Sequence, residues 1–211
     1  CDVADYGLVQ ELVRSNQPAY IFHFAARSTT SHEASAENHA AIATGTLNIL
    51  EAARLHAPQA RIFLPGSGVQ FRNRGQPISE RDEFVASSPY ALARIHSIHA
   101  GRYYRGLGLR VFAGYLFHHE SPLRQSVHVS KQIAEAARRI ANGSREVIEL
   151  GDIAVEKEWT YAGDVVEGIF ALVNQDQVFE AAIGSGQPYS ISAWLDACFG
   201  LVGRDWRKHV R

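Results

Sequence analysis

A tyrosine and an arginine four residues apart form the pair best suited to proton chemistry in this sequence. Tyr90 and Arg94 stand in the run Tyr-Ala-Leu-Ala-Arg, and residues at this spacing share one face of a helix. A cation beside a phenol favours the phenolate and lowers the pKa of the phenol, which makes it a usable proton shuttle. The pattern alone is commonplace, since a packed tyrosine beside a solvated arginine has the same spacing.

A serine at the end of a short apolar run could serve the same chemistry. Ser67 follows residues 61–64, Arg-Ile-Phe-Leu, and the Pro65-Gly66 pair, which we expect to stop a strand there. The functional loops of a doubly wound sheet lie at the carboxyl ends of its strands. A hydroxyl at that place could hydrogen-bond a substrate oxygen while Tyr90 moves its proton.

The ten histidines do not form a metal-binding pattern. His118 and His119 are adjacent, so on a strand they would face opposite sides, and no His-x-x-x-His pair stands near a carboxylate. The two cysteines, Cys1 and Cys198, indicate neither a disulfide framework nor a zinc site. We therefore expect no metal, and a reducing compartment, the cytoplasm.

Strand-like and helical patterns alternate along the chain, which favours a parallel sheet with crossover helices. Apolar, β-rich runs predict strands at residues 19–25, 61–64, 109–117, 147–150 and 179–183. Helical spacing predicts helices at 40–55, 89–104, 131–141, 164–173 and 192–201, the second one opened by Ser88 as N-cap and by Pro89. The predicted fold class is α/β, a Rossmann-like doubly wound parallel sheet with a smaller α/β substrate-binding lobe.

Composition and charge are those of an ordinary globular protein, with 46% hydrophobic and 20% charged residues among 211. A net charge of −1 gives no electrostatic reason to expect nucleic acid or an anionic membrane as partner. No apolar run reaches the roughly 18 residues that a membrane span needs. The sequence contains no methionine, so we expect that Cys1 is not the natural N-terminus.

Ordered motifs along nearly the whole chain resemble one enzyme family. They are Cys1-Asp2-Val3-Ala4-Asp5, His23-Phe24-Ala25-Ala26-Arg27-Ser28, Gly45-Thr46-Leu47-Asn48-Ile49-Leu50-Glu51-Ala52, Ser87-Ser88-Pro89-Tyr90, Phe117-His118-His119-Glu120-Ser121-Pro122-Leu123-Arg124, Leu150-Gly151-Asp152, Glu158-Trp159 and Asp164-Val165-Val166-Glu167. The chain resembles the extended short-chain dehydrogenase/reductases, the NAD-dependent epimerase/dehydratase family. The run that begins at Phe117 is most similar to the GDP-mannose 4,6-dehydratase branch of that family.

The resemblance implies two domains with different tasks. Residues 1–117 would form the NAD(P)-binding Rossmann-like domain without its first βαβ unit, and residues 118–211 mainly the nucleotide-sugar lobe, with part of it returning to the first domain. Catalysis would rest on Ser67, Tyr90 and Arg94. NAD or NADP would contact Asp2, Val3, Phe24, Ala25, Ala26, Arg27, Ser28, Tyr90, Arg94, His119 and Arg124. The substrate, a nucleotide-diphosphate sugar and in this branch a GDP-hexose, would contact Ser67, His118 and Lys157.

The resemblance also implies a homodimer or homotetramer, because helices 40–55 and 89–104 match the pair that forms the family's intersubunit four-helix bundle. The family's glycine-rich phosphate loop is not in this sequence. Neither Gly66-Ser67-Gly68 nor Gly184-Ser185-Gly186 has its spacing. The residues that distinguish NAD from NADP are therefore not in this sequence either.

Four departures from the family pattern bear on the reaction. Arg94 replaces a lysine, His118 an asparagine and Lys157 an arginine, and Val69 stands where a dehydratase carries the glutamate that takes the C5 proton. Hydride transfer at C4 needs only the hydroxyl, the phenol and the cofactor, whereas elimination of water across C5–C6 needs a further acid/base group. Dehydratase, epimerase and 4-keto reductase all stay open, as does a non-catalytic member that binds a nucleotide sugar or a protein partner.

Overall fold

The computed structural model describes all residues, 1–211, and the chain divides into two compact units. The first unit comprises Cys1–Phe117 and Val166–Ile183, and the second comprises His118–Val165 and Gly184–Arg211. No helix of the structure combines the length and the apolar character that crossing a membrane requires.

Helices and strands alternate along the chain. The helices are α1 (Tyr6–Asn16), α2 (Ser35–Asn38), α3 (Gly45–His56), α4 (Pro89–Gly106), α5 (Val129–Ala141), α6 (Ala162–Val173) and α7 (Ile191–Leu201), and a π-helical segment, His39–Thr44, joins α2 to α3. The strands are β1 (Tyr20–Phe22), β2 (Arg61–Ser67), β3 (Arg110–Leu116), β4 (His119–Glu120), β5 (Glu156–Glu158), β6 (Thr160–Tyr161), β7 (Glu180–Ile183) and β8 (Pro188–Ser190). All five predicted helices are present, and α1 is a helix that the prediction missed.

A four-stranded parallel sheet in the order β1-β2-β3-β7 forms the centre of the first unit. Parallel strands require crossover connections, which cover both faces of the sheet with helices. The central strands are accordingly buried, with Ile62, Phe63, Val111 and Phe112 each 0% exposed. The sheet confirms the predicted α/β class.

Strand β2 runs through Pro65-Gly66 to Ser67, so the predicted stop at this pair is wrong. The backbone N–H of Arg61 donates to the carbonyl of Ala19 next to β1. The backbone N–H groups of alternate residues in a strand point toward the same neighbouring strand. An N–H at residue 65 would therefore also point toward β1. The N–H of His23 still donates to the carbonyl of Phe63, so the hydrogen bonds between β1 and β2 end where Pro65, which has no N–H, would have to donate.

Helices α4 and α1 begin at side-chain caps. The Ser88 hydroxyl accepts a hydrogen bond from the N–H of Ala91 at 3.1 Å, and Pro89 occupies the first turn, as the sequence predicts. The Asp5 carboxylate accepts from the N–H of Leu8 at 3.0 Å and opens α1 in the same way. The signal for α1 was therefore present in the sequence as a capping aspartate ahead of an amphipathic run.

A half-buried carboxylate links α4 to the sheet. Glu180 on β7 accepts hydrogen bonds from Arg102 Nη2 at 2.7 Å, from the Tyr115 hydroxyl at 2.6 Å and from Arg105 Nη1 at 3.1 Å. Burial raises the pKa of this carboxyl, but the hydrogen bonds outweigh burial and hold the pKa at about 2. Glu180 therefore stays charged at neutral pH and fixes the helix that carries Tyr90 and Arg94.

A neutral histidine is buried directly after β1. His23 is 2% exposed, and its Nε2 has no hydrogen-bond partner. Burial and the charge of Arg94 lower the pKa of the imidazole from 6.5 to about 4, against an opposite effect of backbone hydrogen bonds at Ile42 and Ala41. The folded protein therefore resists protonation of this ring.

We expect the free energy of unfolding to fall as the pH drops from about 6.5 to about 4, because only the unfolded chain takes up the His23 proton in that window. The loss should total about 3 kcal/mol and level off below the folded-state pKa. Denaturant titrations across this range measure it. His23→Asn should remove most of the slope and exposed His32→Asn should not; an unchanged slope in His23→Asn would contradict the assignment.

The second unit is built on two helices and two short strand pairs. Helices α5 and α7 share a core that includes Ile133, Leu195 and Phe199. Strand β4 pairs in parallel with β6, and β5 pairs antiparallel with β8. Of the predicted strand at 147–150, the structure forms a parallel bridge between Ile148 and Val210, in which the N–H groups of Ile148 and Leu150 donate to the carbonyls of His209 and Arg211.

Candidate functional site

The start of α4 lies against the end of β2, and this contact places Tyr90 and Arg94. Arg94 is 4% exposed, and its Nη1 donates to the carbonyl of Pro65 at 3.0 Å. Its guanidinium carbon lies 5.1 Å from the centre of the Tyr90 ring, which is within the range of a cation–π interaction. Arg94 Nε is buried without a hydrogen-bond partner. The arginine is thus a buried neighbour of the tyrosine, not a solvated charge.

Ser67 ends β2, two residues after the carbonyl that binds Arg94. Its backbone N–H donates to Gln70 Oε1 at 2.8 Å, and its Oγ lies 3.5 Å from the N–H of Val69, which is the reciprocal pattern of a capping box. Gln70 is fully buried, so the turn that presents Ser67 is held from within the unit. The Ser67 hydroxyl can still donate its own proton to a ligand.

The segment assigned to the cofactor by resemblance follows β1 and has no regular secondary structure from residue 23 to residue 31. Phe24 is 52% exposed, Ser28 is exposed, and Ala25 and Ala26 are half-buried. Arg27 forms an ion pair with Glu37 at 2.8 Å, with both side chains largely exposed. The segment therefore offers backbone and side chains at the carboxyl end of the sheet, where doubly wound folds bind ligands.

Asp2 and Val3 lie in a turn that is fixed by local hydrogen bonds. Asp2 Oδ1 accepts from the N–H of Ala4 at 2.9 Å, and the carbonyl of Val3 accepts from Asn48 Nδ2 at 2.9 Å. Asp2 is exposed, and Val3 is half-buried against α3. The carboxylate of Asp2 can therefore accept a further hydrogen bond from a ligand.

In the second unit, Glu120 contacts two of the predicted site residues. One of its oxygens lies 2.6 Å from His118 Nε2 and the other 3.3 Å from Arg124 Nε. Neither contact has hydrogen-bond geometry; the contact with Arg124 is an ion pair, whereas the contact with His118 is one only when the imidazole is protonated. Burial lowers the pKa of His118; Glu120 raises it, and the charges of Lys157 and Arg124 lower it further.

The two remaining predicted residues of this unit lie on its short strands. His119 on β4 pairs with Thr160 on β6, and Lys157 on β5 lies opposite Tyr189 on β8. Because Lys157 acts on the pKa of His118, the unit brings Lys157, His118 and Arg124 into one electrostatic cluster. No group of three or more His, Cys, Asp or Glu side chains is arranged to hold a metal ion.

An aromatic cavity of about 450 Å³ adjoins this cluster. Its walls are Glu120, Ser121, Pro122, Arg124, Ser130, Lys131, Ala134, Trp159, Tyr161 and Trp194. The rings of Trp159 and Trp194 stack at 5.0 Å with 9° between their planes, and Trp159 meets His118 edge-on at 5.1 Å. Aromatic faces beside two cations suit a flat ring that carries an anionic group.

Half of the residues that line this cavity belong to the quoted motifs, and sequence reasoning missed the other half. Trp159 belongs to a quoted motif, but Trp194 lies on the apolar helix α7, where its spacing indicates a core position. Ser130 is 2% exposed, and its hydroxyl has no partner. The one signal in the sequence that sets Trp194 apart from an ordinary core residue is its indole N–H, which needs a hydrogen-bond acceptor. In the structure this N–H donates to the carbonyl of Ser130 at 3.1 Å.

Comparison with known families and proteins gives matches along the full chain. A family model described as GDP-mannose 4,6 dehydratase matches residues 1–211. GDP-mannose 4,6 dehydratase 1 of Arabidopsis thaliana is 29% identical over 216 residues, which cover 99% of this chain and 60% of that protein. GDP-mannose 4,6-dehydratase of Sinorhizobium fredii (strain HH103) is 31% identical over 208 residues, 96% of this chain and 59% of that protein. The chain thus spans about three-fifths of the length of these relatives.

Solved structures share the fold. RMD from Pseudomonas aeruginosa, complexed with NADPH, has a TM-score of 0.90 at 19% identity and covers 100% of this chain, which matches 72% of that one. The dTDP-glucose 4,6-dehydratase DesIV from Streptomyces venezuelae, with NAD and TYD bound, has a TM-score of 0.84 at 24% identity, with coverage of 100% and 65%. The likeness confirms the predicted Rossmann-like α/β fold.

Proposed function

Because this chain belongs to the GDP-mannose 4,6-dehydratase family, we propose that it transfers hydride at C4 of a nucleotide-diphosphate sugar, with NAD or NADP as cofactor. The observation that carries the proposal is the Tyr90–Arg94 pair, anchored by the 3.0 Å contact with Pro65 to the strand that ends in Ser67. This arrangement combines a proton shuttle, a fixed cation and a hydroxyl donor at the carboxyl end of a parallel sheet.

Three side chains would handle the proton at the sugar's C4 oxygen. The Ser67 hydroxyl would donate to that oxygen, and the Tyr90 phenol would take up or return its proton. Arg94 would stabilise the negative charge that develops on the phenol oxygen; since its guanidinium is buried and already bound to Pro65, it needs no reorganisation during the reaction. The cofactor, when bound, accepts or supplies the hydride.

The residues of the first unit fit the part of a dinucleotide site that this chain carries. Phe24 and Ser28 are exposed on the segment after β1, and Asp2 is exposed beside α3. Arg94 Nε is a buried donor without a protein partner, and buried donors in native proteins are normally satisfied. A ribose hydroxyl of the cofactor would satisfy it.

We propose that the cavity of the second unit binds the nucleotide of the substrate. The stacked indoles of Trp159 and Trp194 offer an apolar wall for a base. Arg124 and Lys131 line the same cavity and would neutralise a diphosphate. His118 and Lys157 would complete the substrate contacts, and family membership favours a GDP-hexose.

Trp194→Leu should weaken GDP binding by about 5- to 150-fold, because stacking of a base on an aromatic ring contributes roughly 1–3 kcal/mol. Leucine keeps apolar volume against the core of the unit, so the fold should persist. Isothermal titration with GDP measures the change. The matched control is Trp206→Leu in the same unit, which removes an indole outside the cavity; equal weakening by both variants would refute the proposed base site.

Catalysis and binding without catalysis can be separated by experiment. Native mass spectrometry of the protein purified without added ligand should detect NAD(P) or a nucleotide sugar. Incubation with GDP-mannose and cofactor should then give a sugar oxidised at C4, or its reduced or dehydrated descendants. A bound nucleotide sugar that is never converted would support the alternative function, a non-catalytic member that only binds.

We further propose that two copies of the chain associate through α4 and the helical segment His39–His56. Their length and order match the intersubunit helices of the family. The proposal is supported by an exposed apolar surface on these elements, including Leu47 at 49% and Leu92 at 41% exposure.

A further inference from the structure

One surface of the first unit combines exposed apolar residues with exposed imidazoles. We call it the histidine face and define it by His39, Leu47, Leu92, His96 and Tyr103. Leu92, His96 and Tyr103 follow one another on one side of α4, and His39 and Leu47 belong to the neighbouring π-helical segment and α3. Leu47, Leu92 and Tyr103 are 49%, 41% and 65% exposed. Large exposed apolar side chains on neighbouring helical elements indicate an interaction surface.

The histidine face contains no lysine, arginine, aspartate or glutamate. The charged residues of the flanking elements are engaged elsewhere: Glu37 of α2 pairs with Arg27, Glu51 of α3 pairs with Arg54, and Arg102 and Arg105 of α4 pair with Glu180. Arg94 is buried in the unit. His99, the other exposed histidine of α4, packs edge-on against Phe84 with 5.9 Å between the ring centres, and His32 and Glu33 are exposed in the turn before α2. An uncharged surface can meet its own copy without like-charge repulsion, so the occupant that fits is a second copy of this chain.

The two imidazoles of the face contact each other and no carboxylate. The rings of His39 and His96 meet edge-on, with 5.9 Å between their centres and 86° between their planes. An imidazole ordinarily changes its charge between pH 5 and 8. Protonation of both rings would place two like charges side by side in a surface that offers no counter-charge, and burial between two copies would remove the water that screens them.

We propose that this face binds a second copy only while His39 and His96 are neutral, so that self-association of the protein is coupled to protons. The inference rests on the association proposed above and adds its control by pH. Two copies bring four such rings into one interface. Dissociation therefore takes up protons, and the dissociation constant of the dimer rises more steeply as the pH falls.

Sedimentation velocity at about pH 8 and about pH 6 tests the coupling, with circular dichroism to verify that the fold is retained at the lower pH. We expect the dissociation constant of the dimer to rise at least about tenfold at the lower pH. The double variant His39→Asn, His96→Asn should dimerise equally at both values. His128→Asn, which changes a histidine of the second unit, should keep the wild-type pH effect.

A second measurement does not depend on variants. Dilution calorimetry of the wild-type protein in buffers of different ionisation enthalpy should show proton uptake on dissociation. A dimer with the same dissociation constant at both pH values and no proton uptake overturns the coupling and leaves the proposed association intact. A monomer at both pH values overturns the association as well. The two failures are therefore distinct.

Discussion

Tyr90→Phe should abolish hydride transfer and leave nucleotide-sugar binding nearly unchanged. The substitution removes only the hydroxyl that would move the proton of the C4 oxygen, while the ring still packs under the guanidinium of Arg94 at 5.1 Å. A positioned acid/base group is typically worth about 10²–10⁴-fold in rate, so the loss should be at least that large. Single-turnover reduction or oxidation of the cofactor measures the rate, and calorimetry with the nucleotide sugar measures binding.

The matched control for Tyr90→Phe is Tyr104→Phe on the same helix. The hydroxyl of Tyr104 donates to Glu51 at 3.0 Å and is remote in sequence from the start of α4. The control should transfer hydride at the wild-type rate. If Tyr90→Phe also keeps the wild-type rate, Tyr90 has no part in the mechanism; if both variants lose binding, the effect is one of folding.

Val69→Glu should raise the formation of a 4-keto-6-deoxy sugar from GDP-mannose by about 10²–10⁴-fold, the usual contribution of a general base. The family resemblance aligns residue 69 with the glutamate of the dehydratases, and elimination across C5–C6 needs a group that takes the C5 proton. Val69 is 47% exposed, so a carboxylate there remains solvated and the fold tolerates it. Chromatography of the sugar products, together with the rate of hydride transfer, measures the gain.

Val69→Gln is the control for this gain of function, because it has the size of glutamate and no acid/base group. It should leave dehydration at the wild-type level. Dehydration by the wild-type protein at the rate of the Val69→Glu variant would show that the reaction does not depend on a carboxylate at residue 69. No gain in the variant, with hydride transfer intact, would favour reduction or epimerisation as the natural reaction.

The sequence by itself determined the α/β fold class, five of the helices and the family. Helices 89–104 and 164–173 were predictable because their signals are local: a serine cap with a following proline in one, and apolar residues at helical spacing in both. Alternation of such helices with β-rich runs is enough to predict a parallel α/β sheet. Ser67, Tyr90 and Arg94 became candidate site residues because their types and spacing suit proton chemistry and because the ordered motifs around them resemble those of one family.

Only the tertiary structure decided what surrounds these residues. Arg94 could have been a solvated charge, but the end of β2 supplies the carbonyl of Pro65 and buries it. Pro65 itself stays within a strand because β3 pairs with β2 as far as Ser67, and residues 147–150 form a bridge because residues 209–211 lie beside them. None of these outcomes can be read from a local pattern.

The same holds for the cavity of the second unit and for the neutral histidine of the first. Trp159 and Trp194 look like separate core residues in the sequence, and they become one wall only when β5, β6 and α7 pack together. The pKa of His23 falls to about 4 because burial and the charge of Arg94 act on it. The physical reason is common to all of them: periodicity and capping act over a few residues, whereas burial, charge and stacking depend on neighbours that folding brings from distant parts of the chain.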